Sequence, residues 1–150
     1  MADKVQFELV SPEKLLLSVA VEMVVVPGVE GNFGVLPGHA LFISGVRPGV
    51  IDVYNGGQVT DRLFVSGGFA EVTAERCTVL ADEAMPLAAI DRGATEGEFK
   101  SAEAEIASIG DRIGKMQGAE RDQAASELAA ATSRRGIAEA KLAALGASPH

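Results

Sequence analysis

One cysteine, Cys77, stands in 150 residues, so no disulfide can close within the chain. Its setting, Arg76-Cys77-Thr78-Val79-Leu80, reads as a strand in which a small thiol packs as a hydrophobe, and this usage fits a reducing compartment. Histidine is equally scarce. His39 is internal, His150 is terminal, and no second histidine or cysteine lies near either in sequence. Metal ligation is therefore not expected, and Pro37-Gly38-His39-Ala40 reads as an ordered turn. No apolar run approaches the roughly 20 residues of a membrane span. Leu15-Leu16-Leu17 and Met23 to Val26 are typical of the chain's short runs. Met1-Ala2-Asp3-Lys4-Val5 has neither the basic start nor the apolar core of a secretory signal, so membrane association is expected only through a partner.

Catalytic signatures are missing too. There is no Gly-Lys-Ser/Thr phosphate loop and no nucleophile elbow. Gly28-x-x-Gly31-x-x-Gly34 has the wrong spacing for a dinucleotide fingerprint, and no helical pattern follows it; its glycines read as turn residues. Asp82-Glu83 reads as a solvated strand end. A positive charge excess is absent. The net charge is −8, with 11 acids against 5 bases in residues 1–86 (−6) and 10 against 8 in residues 87–150 (−2). That balance argues against nucleic acid and against anionic lipid as partners. No catalytic residue is expected.

What the chain does contain is a change of texture near Pro86. Five of its six prolines (Pro12, Pro27, Pro37, Pro48, Pro86) lie in the first part, among short apolar runs cut by glycine. Val5 to Val10 alternates apolar and polar residues, as a half-buried strand does. Leu15 to Ser18, Ala20 to Val26, Leu41 to Ser44, Val50 to Tyr54, Val59 to Val65, Phe69 to Thr73 and Cys77 to Ala81 read as further strands. Gly56-Gly57 marks a hairpin turn, and Arg47-Pro48-Gly49 and Ser66-Gly67-Gly68 mark turns or bulges. Many short strands at this spacing predict an antiparallel β-sandwich or flattened barrel over residues 1–86.

Residues 87–150 follow a helical period. Phe99, Ala102, Ile106, Ile109, Ile113 and Met116 form one apolar stripe, and Ala124, Leu128, Ala131, Ala138, Leu142 and Leu145 a second. Thr95 with Glu98 matches a capping box, which predicts a helix start there. Gly110, Gly114 and Gly118 each cost about 1 kcal/mol relative to alanine within a helix, and the turn is placed between Gly114 and Ala119. The result is a C-terminal antiparallel two-helix hairpin that needs packing to persist. Arg135 interrupts the second stripe. With Arg134 and Lys141 it forms the chain's one basic concentration, read equally well as a solvated helix face or as a cationic strip for an acidic partner.

The residues together resemble one family. Val10-Ser11-Pro12-Glu13, Glu30 to Ala40, Arg47-Pro48-Gly49-Val50-Ile51, Phe64 to Val72 and Thr78 to Ala84 match, in order, the epsilon subunit of F-type ATP synthases, called delta in mitochondria. The resemblance covers the whole chain. It implies a non-catalytic central-stalk rotor subunit whose sandwich grips the gamma subunit and sits on the c-ring, with Glu30, Asn32 and His39 in the c-ring contact region. It implies helices that fold down or extend toward the alpha and beta subunits and restrain ATP hydrolysis, with Arg134, Arg135 and Lys141 as contacts. It also implies a peripheral location on the cytoplasmic face of the bacterial inner membrane. Some relatives have glutamate where Asn32 stands, and many have proline where Leu41 stands. Nucleotide-binding relatives carry Ile/Leu-Asp-x-x-Arg-Ala. Here Ile90-Asp91 fits, but Ala94-Thr95 replace Arg-Ala, and Arg92 is displaced by two residues, about 200° around a helix. No ATP binding by the chain alone and no other cofactor are expected. The alternatives at this point are a generic adaptor and a small cupin-like enzyme, which would need a histidine cluster.

Overall fold

The computed structural model describes residues 4–149. Ten strands come first: β1 (Val5–Ser11), β2 (Lys14–Val21), β3 (Met23–Gly28), β4 (Gly31–Val35), β5 (Phe42–Val46), β6 (Gly49–Asn55), β7 (Gln58–Val65), β8 (Gly68–Val72), β9 (Arg76–Ala81) and β10 (Ala84–Pro86). A single 3-10 turn at Leu87–Ala89 precedes α1 (Arg92–Ile113) and α2 (Gly118–Gly146). The chain divides into two compact units. One runs through Ile90 and takes in the tail from Gly146; the other is Asp91–Leu145.

Neighbouring strands run β10-β7-β6-β3-β5-β8-β9-β1-β2, with β4 on β3. The pairing of β1 with β9 is parallel, and the pairs of the two hairpins β1–β2 and β6–β7 are antiparallel. The path is narrowest between β3 and β5, where the register consists of the single pair Gly28↔Val46. There the sheet folds over. Strands β2, β1, β9, β8 and β5 form one layer, and β10, β7, β6, β3 and β4 the other. Between them lie Val5, Phe7, Leu9, Val21, Val24, Val26, Val35 and Val53, with Cys77 among them. The alternation in β1 sends Val5, Phe7 and Leu9 inward and leaves Gln6 and Glu8 partly exposed. Each large apolar side chain fully buried in this way contributes about 1.5–3 kcal/mol. Burial pushes the Cys77 thiol up to about 12, so it stays protonated at neutral pH and behaves as core.

Two of the turn signals are corners where the chain changes layer. At the first, the Arg47 N–H donates to the Pro27 carbonyl at 2.9 Å, and its Nη1 donates to the Gly28 carbonyl at 2.6 Å. Gly28 leaves no room for a side chain, since a Cβ there would lie 2.7 Å from the Gly31 carbonyl oxygen. At the second, Ser66 N–H donates to Glu83 C=O at 2.9 Å and Asp82 N–H donates to Gly67 C=O at 3.0 Å. Gly68, at φ +142°, sits where a Cβ would fall on the Leu80 carbonyl oxygen.

Three expectations change. Gly31 to Val35 is a strand paired antiparallel with β3, not only a turn. Of the three glycines read as turn residues, Gly31 has a positive φ and Gly34 lies in the ladder opposite Val25. The break after β2 falls at Glu22, not Val19. Val19 to Val21 complete the ladder with β1, whereas Glu22 N–H turns to the Tyr54 carbonyl at 3.1 Å. Partner register, not residue type, sets that boundary. The helix begins at Arg92 instead of Thr95, because Asp91 supplies the cap: its Oδ1 accepts from Ala94 N–H at 2.9 Å. The Thr95 hydroxyl instead donates to the Asp91 carbonyl at 2.7 Å and is buried.

On the outer side of β6 a polar residue is fully buried. Asp52 accepts from Arg62 Nε of β7 at 2.7 Å, and Arg62 Nη1 also donates to the Ala147 carbonyl at 3.0 Å. Removing Asp52 would take from the mostly buried Arg62 guanidinium its carboxylate, and breaking such a pair is destabilising. Within the helical unit, Ala102 and Ile109 of the first stripe and Ala124, Ala131 and Ala138 of the second are buried. The turn occupies residues 114–117, and Arg121 Nη1 donates to the Ile113 carbonyl at 3.2 Å, capping α1.

The second corner has no tolerance for a methyl group. Gly68→Ala should lower the unfolding free energy by about 2–4 kcal/mol, the sum of overpacking and a strained φ. Urea unfolding of the natural chain and the variant checks this, and equal midpoints would refute it.

Candidate functional site

β4 and the loops at its two ends carry the first group of predicted site residues. Glu30 is exposed at the tip of the β3–β4 turn. Asn32, one residue into β4, accepts from Arg47 Nη2 at 2.7 Å. That bond fastens the tip to the corner at Arg47. His39 lies in the loop after β4, with Nδ1 2.8 Å from the Ala40 carbonyl and its ring 6.2 Å from that of Phe42. The Phe42 ring in turn meets Phe33 edge-on at 5.1 Å. The polar residues are thus placed among apolar ones that sequence reasoning did not single out. Val29, Leu36, Leu41, Phe42 and Ile43 are all exposed, Leu41 by 75%. Leu41-Phe42-Ile43 was a legible signal, because three consecutive apolar residues on a strand cannot all face one core.

A second apolar surface crosses the outer face of the layer containing β1. Register places Phe69 opposite Leu80, Leu80 opposite Val10, and Val10 opposite Leu15. These four side chains form one outward row over β8, β9, β1 and β2. Phe69 is 63% exposed, and Leu80 and Leu15 are more than half exposed. The neighbouring row is polar. Glu8 accepts from Arg76 Nη1 at 3.0 Å and from the Thr78 hydroxyl at 3.4 Å. Parity could have revealed the apolar row: with Ala70, Val72, Val79 and Ala81 inward, Phe69 and Leu80 must point out. A water-exposed apolar row carries a hydration cost, and such rows mark contact sites.

The remaining candidates lie in or beside the helices. Ile90 N–H donates to the Leu87 carbonyl at 3.2 Å, the Asp91 carboxylate is used as the helix cap, and Arg92 is the exposed first residue of α1. The residual nucleotide step is therefore part of a helix start. Arg134 pairs with Glu105, and Arg135 with Glu103 at 3.3 Å, while Lys141 is buried. The structure does not gather the three cations into one exposed strip. Among the described residues, no three His, Cys, Asp or Glu side chains are grouped so that they could hold a metal ion, and no helix is long and apolar enough to cross a membrane. What the geometry offers is docking surface: two exposed apolar regions on a stiff sandwich, one of them edged by Glu30, Asn32 and His39.

Comparison with known proteins agrees with this layout. The family model described as ATP synthase, Delta/Epsilon chain, beta-sandwich domain matches residues 4–87. An ATP synthase epsilon chain of Rhodospirillum rubrum is 51% identical over 131 residues, covering 87% of this chain and 98% of that one. An ATP synthase epsilon chain of Paramagnetospirillum magneticum is 58% identical over 102 residues, 68% of this chain and 77% of that one. Among solved structures, a chain of the Euglena gracilis mitochondrial ATP synthase (OSCP/F1/c-ring) aligns with TM-score 0.72 at 27% identity, covering 95% of this chain and 82% of that one. A chain from the Tetrahymena thermophila mitochondrial ATP synthase central stalk and c-ring shares the fold, with TM-score 0.55 at 15% identity over 95% of this chain and 96% of that one.

Proposed function

The chain belongs to the ATP synthase delta/epsilon family, and on that premise we propose that it is a non-catalytic rotor component of the central stalk. Membership removes the reasons to consider a generic adaptor or a cupin-like enzyme. The single observation that carries the mechanical part of this reading is the outward row Phe69, Leu80, Val10 and Leu15 on a sandwich with a dry, branched core. A part that transmits torque needs stiffness and contact area, and a packed apolar core beneath an exposed apolar row supports that reading. In this reading the row docks on the gamma subunit. The segment from Val29 to Ile43, with Glu30, Asn32 and His39, docks on the c-ring. An interface of ordinary size removes about 800 Å² per partner from water, with a few apolar anchors carrying most of the affinity. The subunit is peripheral through its complex, on the cytoplasmic face of the membrane. α1 and α2 form the regulatory arm, which restrains ATP hydrolysis through the alpha and beta subunits, with Arg134 and Arg135 as the contacting cations; Lys141, buried in α2, drops out of that set. The altered nucleotide step, with Asp91 engaged as a cap, supports an arm that does not bind ATP by itself.

Phe69→Ser with Leu80→Ser should leave urea stability within about 0.5 kcal/mol, because both side chains are exposed. The pair should weaken co-purification of gamma by about 2 kcal/mol or more, as lost anchors do. Undiminished recovery of gamma would refute the assigned surface. Replacing Arg134 and Arg135 by alanine should raise ATPase activity of the assembled enzyme about two- to fivefold, the range of surface ionic contacts worth under 1 kcal/mol. Unchanged activity would count against the contact. Calorimetry of the isolated chain with ATP should show no micromolar binding; finding it would overturn the nucleotide reading.

A further inference from the structure

The outer face of β8, β9, β1 and β2 is laid out in three rows. The apolar row Phe69, Leu80, Val10 and Leu15 lies in the middle. Two residues along the strands to one side come Glu71, Thr78 and Glu8, again opposite one another. To the other side come Gly67 and Asp82, joined by the 3.0 Å bond from Asp82 N–H to the Gly67 carbonyl. Both flanks lie about 7 Å from the apolar row, the repeat of an alternating strand. The charges on them are not balanced. Glu8 is satisfied inside the chain by Arg76 and Thr78. Glu71 and Asp82 are exposed, and neither carboxylate forms an ion pair among the described residues.

Asp82 is also part of a shaped site. It forms one wall of a socket of about 180 Å³ whose other walls include Val10, Pro12, Phe69 and Leu80. A Cβ added at Gly67 would lie 3.6 Å from Asp82 Oδ2, so the carboxylate rests over that corner. A second depression holds Asp82 together with Glu13, Glu83 and Lys14, three carboxylates against one ammonium, so the margin of the socket is negative. A partner that lies on Phe69 and Leu80 takes water from Asp82 as well. An apolar anchor there would leave that carboxylate desolvated without a counter-charge, at a cost that offsets the gain from the row. A long cationic side chain meets both demands: its stem packs on Val10 and Leu80, its head meets the carboxylate, and the Phe69 ring beside it adds to the attraction.

We propose that the socket between Phe69, Leu80, Val10, Pro12 and Asp82 receives one lysine or arginine of the partner, with Asp82 as its counter-charge. The proposal rests on the reading of the row as the gamma-docking surface and adds the chemistry that gamma must present: an apolar ridge with a basic anchor at one margin. Glu71, on the open flank, is a steering charge and holds no fixed contact. Specificity then comes from Asp82, because an apolar surface of the right shape but without the cation is rejected.

The test measures binding of the full chain to an alpha, beta and gamma assembly that lacks it, with association and dissociation read separately at low salt. Asp82→Asn preserves side-chain size at an exposed position, so its urea midpoint should match that of the natural chain. It should weaken binding about tenfold, chiefly through faster dissociation, as loss of a close interfacial charge pair does. Asp82→Lys should weaken binding about a hundredfold. Glu71→Gln should act on association alone, by about threefold or less. Each lysine and arginine of gamma is then changed to methionine in turn. One change should cost about tenfold against the natural chain and less than about twofold against the Asp82→Asn chain. Full-strength binding by both Asp82 variants, with binding lost in Phe69→Ser, Leu80→Ser, would leave the docking surface standing and overturn the anchor. Losses spread evenly over many gamma cations, with none coupled to Asp82, would show only a diffuse field and would also overturn it. Full-strength binding by Phe69→Ser, Leu80→Ser would remove the docking reading itself, and the anchor with it.

Discussion

The sandwich turns on one backbone pair, Gly28 with Val46. At that point β3 stops pairing with β6 and takes up β5, and the sheet becomes two layers. The approach is close enough that a Cβ on Gly28 would strike the Gly31 carbonyl and the Phe33 ring. Arg47 secures the fold-over from outside by donating to Gly28 and Asn32. Every later property follows from this geometry. It decides which side of each strand meets the other layer, and so which apolar side chains enter the core and which are left on the surface.

The core and the docking surfaces are consequences of one parity rule. On β8, Ala70 and Val72 go in, so Phe69 goes out; on β9, Val79 and Ala81 go in, so Leu80 goes out. Rigidity and adhesion are therefore built from alternate residues of the same strands. A partner bound to the outer row contacts side chains whose neighbours in sequence are locked in a dry interior.

The helical unit is made differently. Its buried residues are small, its helices contain glycine, and charged groups on its flank supply cross-helix contacts. Fewer of its side chains are fully buried than in the sandwich, and its cross-helix ion pairs are half-exposed and open to screening by salt. A packed sandwich joined to a helical unit with little full burial fits the proposed division between a stalk body and a regulatory arm.

Period and punctuation were enough to locate eight of the ten strands, the two helices and the turn between them, because these depend on residues near one another in the chain, while the short β10 was missed. The corners at Arg47-Pro48 and Ser66-Gly67 were visible as breaks, and Glu30, Asn32 and His39 as members of a recognisable segment. The strand status of Gly31 to Val35 was not visible, since it comes from pairing with β3 and its glycines favour turns locally. Nor was the engagement of Arg134 and Arg135, which lies in carboxylates 29 and 32 residues away. Local propensity and alternation are properties of the chain and can be read from it. Which strand lies beside which, and which charge meets which, depend on long-range closure, and only the folded molecule brings those groups within reach.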